Sequence, residues 1–148
     1  MEEVHLHLPI LQQWGVFPVT GKRIQELNAY LVPMHKGKIL LLKRRRTEFW
    51  EFPGGGVDWG EEPSYSAKRE LKEETGLEAS SVEFVGITSA TYEKEGKEKH
   101  SVYLVYKGKV ESEDFSLGLE HEEGRWVSLD EAKFMKLGLN CEDIPSML

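Results

Sequence analysis

The sequence predicts an α+β fold built on a mixed β-sheet. Three features point there: five or six short β-rich runs, hairpin turns between several of them, and two segments with helix start and stop signals. Residues 1–25 show no sustained period and read as a strand followed by a loop. Residues 27–34 and 38–43 are apolar runs flanking His35-Lys36-Gly37, a spacing that predicts a β-hairpin with glycine in its turn. Residues 49–52 make a short aromatic strand that stops at Pro53 and the glycines Gly54, Gly55 and Gly56. Glu62-Pro63 opens a helix, since proline lacks only an N–H that the first turn leaves unpaired anyway. Gly76 closes that helix as a left-handed residue. Residues 82–92 and 100–109 are β-rich and are joined by a charged hairpin, 93–99. Arg125-Trp126-Val127 makes a last short strand, and Ser128-x-x-Glu131 matches a capping box that starts a second helix.

A chain of 148 residues suits one domain, and no repeat, low-complexity tract or linker divides it. Cys141 is the single cysteine, so no internal disulfide braces the core and a reducing compartment, the cytoplasm, is expected. With no basic neighbour, that thiol reads as inert. The longest aliphatic run, residues 39–42, falls far short of the ~20 residues of a membrane span. The start MEEVHLHL lacks the basic-then-apolar pattern of a signal peptide. Nineteen Lys and Arg against 26 Asp and Glu leave a net charge of −7, the wrong sign for a partner of long nucleic acids. An anionic ligand would need local arginines or a metal ion.

Glu70, Glu73 and Glu74 are the unusual feature of the first helix. Their spacing puts them on one face with Cβ atoms only ~5–6 Å apart, where like charges destabilise the helix. They also lie in its C-terminal half, where the macrodipole disfavours anions. Lys68, Arg69 and Lys72 offset part of this. A solvated acidic face is one explanation. The other is a hard divalent cation such as Mg²⁺, which takes a few carboxylate oxygens and completes its shell with water and substrate phosphate.

The surroundings of those glutamates resemble the Nudix box, G-x5-E-x7-R-E-U-x-E-E-x-G-U with U aliphatic. Gly55, Glu61, Arg69, Glu70, Leu71, Glu73, Glu74, Gly76 and Leu77 meet every specified position. The likeness continues through Trp50-Glu51-Phe52-Pro53-Gly54 before the box and Arg125-Trp126-Val127-Ser128 after it. It covers about residues 27–135 of one Nudix-type domain spanning 1–148, leaving 1–25 as an N-terminal extension and 137–148 as a C-terminal tail outside the match. The resemblance implies a mixed sheet packed between helices, an α/β/α sandwich. It also implies Mg²⁺- or Mn²⁺-dependent hydrolysis of a pyrophosphate linkage in a nucleoside diphosphate derivative or nucleoside triphosphate. Carried onto this chain, it implies catalytic roles for Arg69, Glu70, Glu73, Glu74 and Glu120, with metal held by those four glutamates and the carbonyl of Gly54. Arg69, four residues from Glu73, is placed to hold a carboxylate in one orientation. Glu61 reads either as an outer ligand or as an anion favoured at a helix start. Glu120 is aligned six residues before Trp126, in a loop, whereas Glu122 and Glu123 read as solvated or paired with a basic residue.

Arg44, Arg45 and Arg46 end the second strand, and regular alternation would put Arg44 and Arg46 on one face. The resemblance favours Arg44 as a phosphate contact. Phe49, Trp50, Trp59 and Tyr92 are candidates for stacking on a base; Trp50 and Trp126 read more readily as core. Trp59, inside the Gly-rich loop, and Tyr92, fifteen positions past the box, remain as substrate candidates. The five histidines show no ligand spacing and read as structural. The expected partner is a small nucleotide; a homodimer is left open. A non-catalytic nucleotide-binding module on the same fold is the main alternative, since fold does not fix function, and a metal-buffering protein is a third. The complete set of costly glutamates argues for the enzyme.

Overall fold

A computed structural model describes residues 22–138 and 140–148. The strand and loop expected at the N-terminus, with His5 and His7, fall largely outside the described residues. Among the described residues seven strands form one sheet: β1 Arg23–His35, β2 Lys38–Arg44, β3 Trp50–Glu51, β4 Gly54–Gly56, β5 Glu83–Lys94, β6 Lys97–Lys109 and β7 His121–Val127. Their order is β3-β2-β1-β6-β5, with β4 pairing β1 and β7 pairing β2. The β1–β6 pair is parallel and the others antiparallel, so the sheet is mixed.

The turns follow from their residues. Lys36-Gly37 and Glu95-Gly96 carry φ of 49° and 77°, and of 54° and 73°, the positive values of two-residue hairpin turns matched to strand twist. The second turn shortens the charged connection expected over 93–99, because both strands run into it. The glycines expected only to end a strand instead form β4. Gly54 faces Tyr30 and Gly56 faces Asn28, and a Cβ at Gly54 would collide with the Ala29 carbonyl oxygen, so only glycine allows this approach. A second expectation fails at Arg46. The strand ends at Arg44, and Arg46 turns to a φ of 64°, so alternation no longer relates the two side chains.

Helix α1 spans Pro63–Thr75, with Pro63 in its first turn and Gly76 at φ 76° donating back to the Lys72 carbonyl. Ala67 and Leu71 pack beneath it on Ala29, Leu31, Leu40 and Leu42. Leu71 is fully buried, and its truncation to alanine would cost on the order of 2–5 kcal/mol. The opposite face packs Tyr30, Val32, Ile39 and Leu41 against Ala132, Leu137, Cys141 and Ile144. Helix α2 there is a single turn, Leu129–Ala132, opened by the Ser128–Glu131 capping box. Backbone bonds then lock the chain beside β3: the Trp50 N–H donates to the Lys136 carbonyl and the Gly138 N–H to the Trp50 carbonyl, each at 2.9 Å. The final residues thus close the second layer of the core rather than trail from it. Burial pushes the Cys141 thiol up to about 12, which removes its nucleophilic form at neutral pH.

Candidate active site

Arg69 is the hub of the acidic helix. Its Nε lies 2.7 Å from Glu61 Oε2 and its Nη2 2.9 Å from Glu61 Oε1, a two-pronged grip. Its Nη1 reaches Glu70 at 3.1 Å and both oxygens of Glu73 at 3.2 Å. Nη2 also donates to the Gly56 carbonyl at 3.3 Å, tying the Gly-rich loop to the helix. Glu61 further accepts from the Asp58 N–H at 3.0 Å. The Arg69 hydrogen bonds hold the Glu61 carboxyl down at about 2, and those with Glu61 raise the already strong basicity of Arg69. Glu61 therefore belongs to the ion-pair network around Arg69.

The three helix glutamates do not share one environment. Glu73 turns outward with a 57% exposed side chain, while that of Glu70 is 15% exposed. Glu74 faces inward, since one residue rotates the helix by about 100°. The Gly54 N–H lies near enough to the Glu74 carboxyl to favour its ionised form, but Glu74 Oε2 is buried with no hydrogen-bond partner. Burial first, then the charges of Glu70, Glu120 and Glu51, push the Glu74 carboxyl up to about 9. Burial also raises Glu70. Glu120, exposed at the loop end, thus acts on both helix glutamates across space. Arg45 fixes that loop: its N–H donates to the Glu120 carbonyl and its Nε to the Leu119 carbonyl, both at 2.9 Å.

Glu51 enters this cluster without a signal of its own in the sequence beyond its place before the glycines. It receives Arg44 at 3.1 Å and His121 at 2.8 Å. Arg44 is therefore drawn to the acidic cluster. The other aromatic and acidic candidates separate. Trp59 is fully exposed, on the loop that brings Asp58 and Glu61 to Arg69. Tyr92 lies elsewhere, its hydroxyl 3.0 Å from Ser101 Oγ, in a cleft of about 770 Å³ that none of the clustered glutamates lines. Trp50 is core, and Phe49 lies under Lys136. Glu122 pairs with Lys43 and Glu123 with Arg125.

The donor set fits a hard cation. It consists of oxygens, one of them buried and unpaired, beside backbone that no side chain screens. A Cβ at Gly55 would fall 2.8 Å from Glu70 Oε1. Among the described residues no three acidic, histidine or cysteine side chains are gathered into a ready ligand set, and Arg69 holds Glu61, Glu70 and Glu73 in ion pairs. Among those residues, too, no helix is long and apolar enough to cross a membrane.

Known proteins resemble this chain in sequence and fold. The NUDIX domain family matches residues 26–144. An 8-oxo-dGTP diphosphatase of Buchnera aphidicola subsp. Schizaphis graminum is 34% identical over 105 residues, covering 67% of this chain and 74% of that protein. An RNA pyrophosphohydrolase of Caulobacter vibrioides is 35% identical over 126 residues, 70% of this chain and 72% of that one. Among solved structures, a MutT protein from Methanosarcina mazei Go1 superposes with a TM-score of 0.66 at 28% identity, over 87% of this chain and 94% of the other. With this acidic helix and these relatives, the protein is an enzyme that hydrolyses pyrophosphate linkages. The chain belongs to the NUDIX family.

Proposed function

We propose that this pyrophosphohydrolase acts with Mg²⁺ or Mn²⁺ on a nucleoside triphosphate or a nucleoside diphosphate derivative, in the cytoplasm, at the cluster of Glu70, Glu74 and Glu120. The carrying observation is Glu74 Oε2, buried and unpartnered beside Gly54. A buried acid without a partner costs stability unless something binds it. Glu70, Glu73, Glu74, Glu120 and the Gly54 carbonyl would hold the cation. Bound there, it would neutralise the diphosphate and acidify the attacking water. The protein's own part is positioning. Arg69 keeps the loop and helix carboxylates in register, and Arg44 offers a guanidinium to phosphate. Glu120, on a loop open to solvent, would ligate or would accept a proton and pass it to bulk water. The net charge of −7 favours a small nucleotide over a long one.

A panel of nucleoside triphosphates and diphosphate derivatives, assayed for phosphate products with and without Mg²⁺, tests this. Metal-dependent release from at least one compound is expected, together with a higher melting temperature in Mg²⁺ or Mn²⁺, because a ligand of the folded state stabilises it. A compound that raises the melting temperature and is never hydrolysed would favour a binding module. Light scattering reads whether two copies pair.

Trp59, exposed beside the Arg69 hub, is the proposed stacking platform for the base. Nucleotide should shift or quench its fluorescence. Trp59→Ala should raise KM more than it lowers kcat, since stacking far from the reacting phosphorus is made equally in ground and transition states. An unchanged KM for the best substrate would end that role.

A further inference from the structure

We infer that His121 is a positioning residue, acting through Glu51 to aim Arg44 at the phosphate of the substrate. The inference rests on the proposal that Arg44 contacts phosphate. His121 opens β7 with its side chain 1% exposed. Its Nε2 lies 2.8 Å from Glu51 Oε1, and its Nδ1 has no hydrogen-bond partner. The same carboxylate receives Arg44, with Nη2 3.1 Å from Oε1 and Nη2 and Nε 3.3 and 3.4 Å from Oε2.

A bulge makes the arrangement. Pairing between β2 and β7 runs Leu42 with Gly124, Lys43 with Glu123 and then Arg44 with His121, leaving Glu122 unmatched. In unbroken register Arg44 would face Glu122, and His121 would point to the other side of the sheet. Leu42, two residues before Arg44, packs beneath α1, so Arg44 emerges on the face of the acidic helix. Leu42 also stands opposite Glu51 on β3, which puts the carboxylate on that face too.

An imidazole buried with one nitrogen unpaired is a costly filler where an aliphatic side chain would pack without penalty. As a tether it has a use. It occupies one oxygen of Glu51 and fixes the carboxylate, which then grips Arg44 by one edge. The Arg44 side chain stays 52% exposed, and its Nη1 makes no hydrogen bond among the described residues. A guanidinium restrained on one edge and open on the other is prepared for a second anion, with less freedom to lose on binding.

The test uses the intact protein, Mg²⁺ and the substrate best hydrolysed in the panel, with kcat, KM and melting temperature read for each variant. Arg44→Met should raise KM about fivefold or more. His121→Phe, which fills the space but cannot donate to Glu51, should raise KM by a similar factor with kcat nearly kept. The double variant should be no worse than Arg44→Met alone, because both changes act through one contact. His121→Gln, whose amide can donate, should bring KM back to within about twofold. If His121→Phe does not fold, His121→Asn, too short to reach Glu51, takes its place. An unchanged KM in Arg44→Met overturns the inference together with the proposal beneath it. A raised KM in Arg44→Met that His121→Phe multiplies further, or a His121→Phe that loses only melting temperature, overturns the inference alone and leaves His121 a packing residue.

Discussion

Glu74→Gln is expected to lower kcat at least about a hundredfold, the scale of one lost general-base or electrostatic contribution, while making the metal-free protein more stable. The two effects share a cause. Burial and the neighbouring carboxylates push the Glu74 carboxyl up to about 9 in the fold. An acid held above its unfolded value binds more protons folded than unfolded, so stability falls as pH rises from roughly 4.5 toward 9. At about 1.36 kcal/mol per unit, that loss reaches on the order of 3 kcal/mol by pH 7. The glutamine has nothing to ionise. Melting curves from pH 5 to 8 should therefore be flatter for the variant, which should melt above the parent at pH 8 without metal. Adding Mg²⁺ should raise the parent and leave the variant nearly unmoved. Near-normal turnover in the variant would place the chemistry off this helix, and parallel pH slopes would remove the unpaired acid as the reason.

Glu120→Gln should cut kcat at least tenfold with little change in melting temperature. The side chain is exposed, and the loop beneath it is held by backbone and Arg45 contacts that the substitution leaves intact. Glu122→Gln and Glu123→Gln should be mild, because each pairs at the surface, with Lys43 and Arg125, where ion pairs are worth little. Steady-state rates for the three single variants, with melting temperatures alongside, separate them. A crippled Glu123→Gln beside a healthy Glu120→Gln would mean that the loop works in a register shifted by three residues.

What was legible in the sequence had local causes. Pro63 and Gly76 bound α1 through properties of single residues, and helical spacing alone brings Glu70 and Glu74 together. The capping box at Ser128 is likewise a four-residue signal, although it could not say that α2 stops after one turn. Features set by pairing between distant segments were hidden. Gly54–Gly56 carry no β preference, and their strand exists because Ala29 and Tyr30 allow no side chain to pass. His121 read as one more structural histidine because the bulge that turns it under Arg44 depends on a partner strand 77 residues away, not on any periodicity of its own. Glu51 was visible only as part of a resembling stretch. Leu137, Cys141 and Ile144 lie too irregularly for any period to mark them as core, since a bridge from Leu137 to Trp50 and the backbone turns after it place them there.

The parallel ladder has a consequence for how the chain is made. Each β1 residue, from Arg23 with Glu98 to Met34 with Lys109, finds its β6 neighbour 75 positions later. Closing such a loop is paid in entropy before any contact repays it, which slows folding. On the ribosome, at about 5–20 residues per second, β1 waits roughly 4–15 s for that neighbour. Over that interval its central-strand edge is open, flanked by Tyr30, Leu31 and Val32, and offers unpaired backbone to any other nascent chain. The β5–β6 hairpin, closed by its two-residue turn, forms locally and in one docking step covers that edge. Conditions that delay this docking, such as heat shock or rapid overexpression, would therefore divert the protein into aggregates more readily than they would unfold it once made.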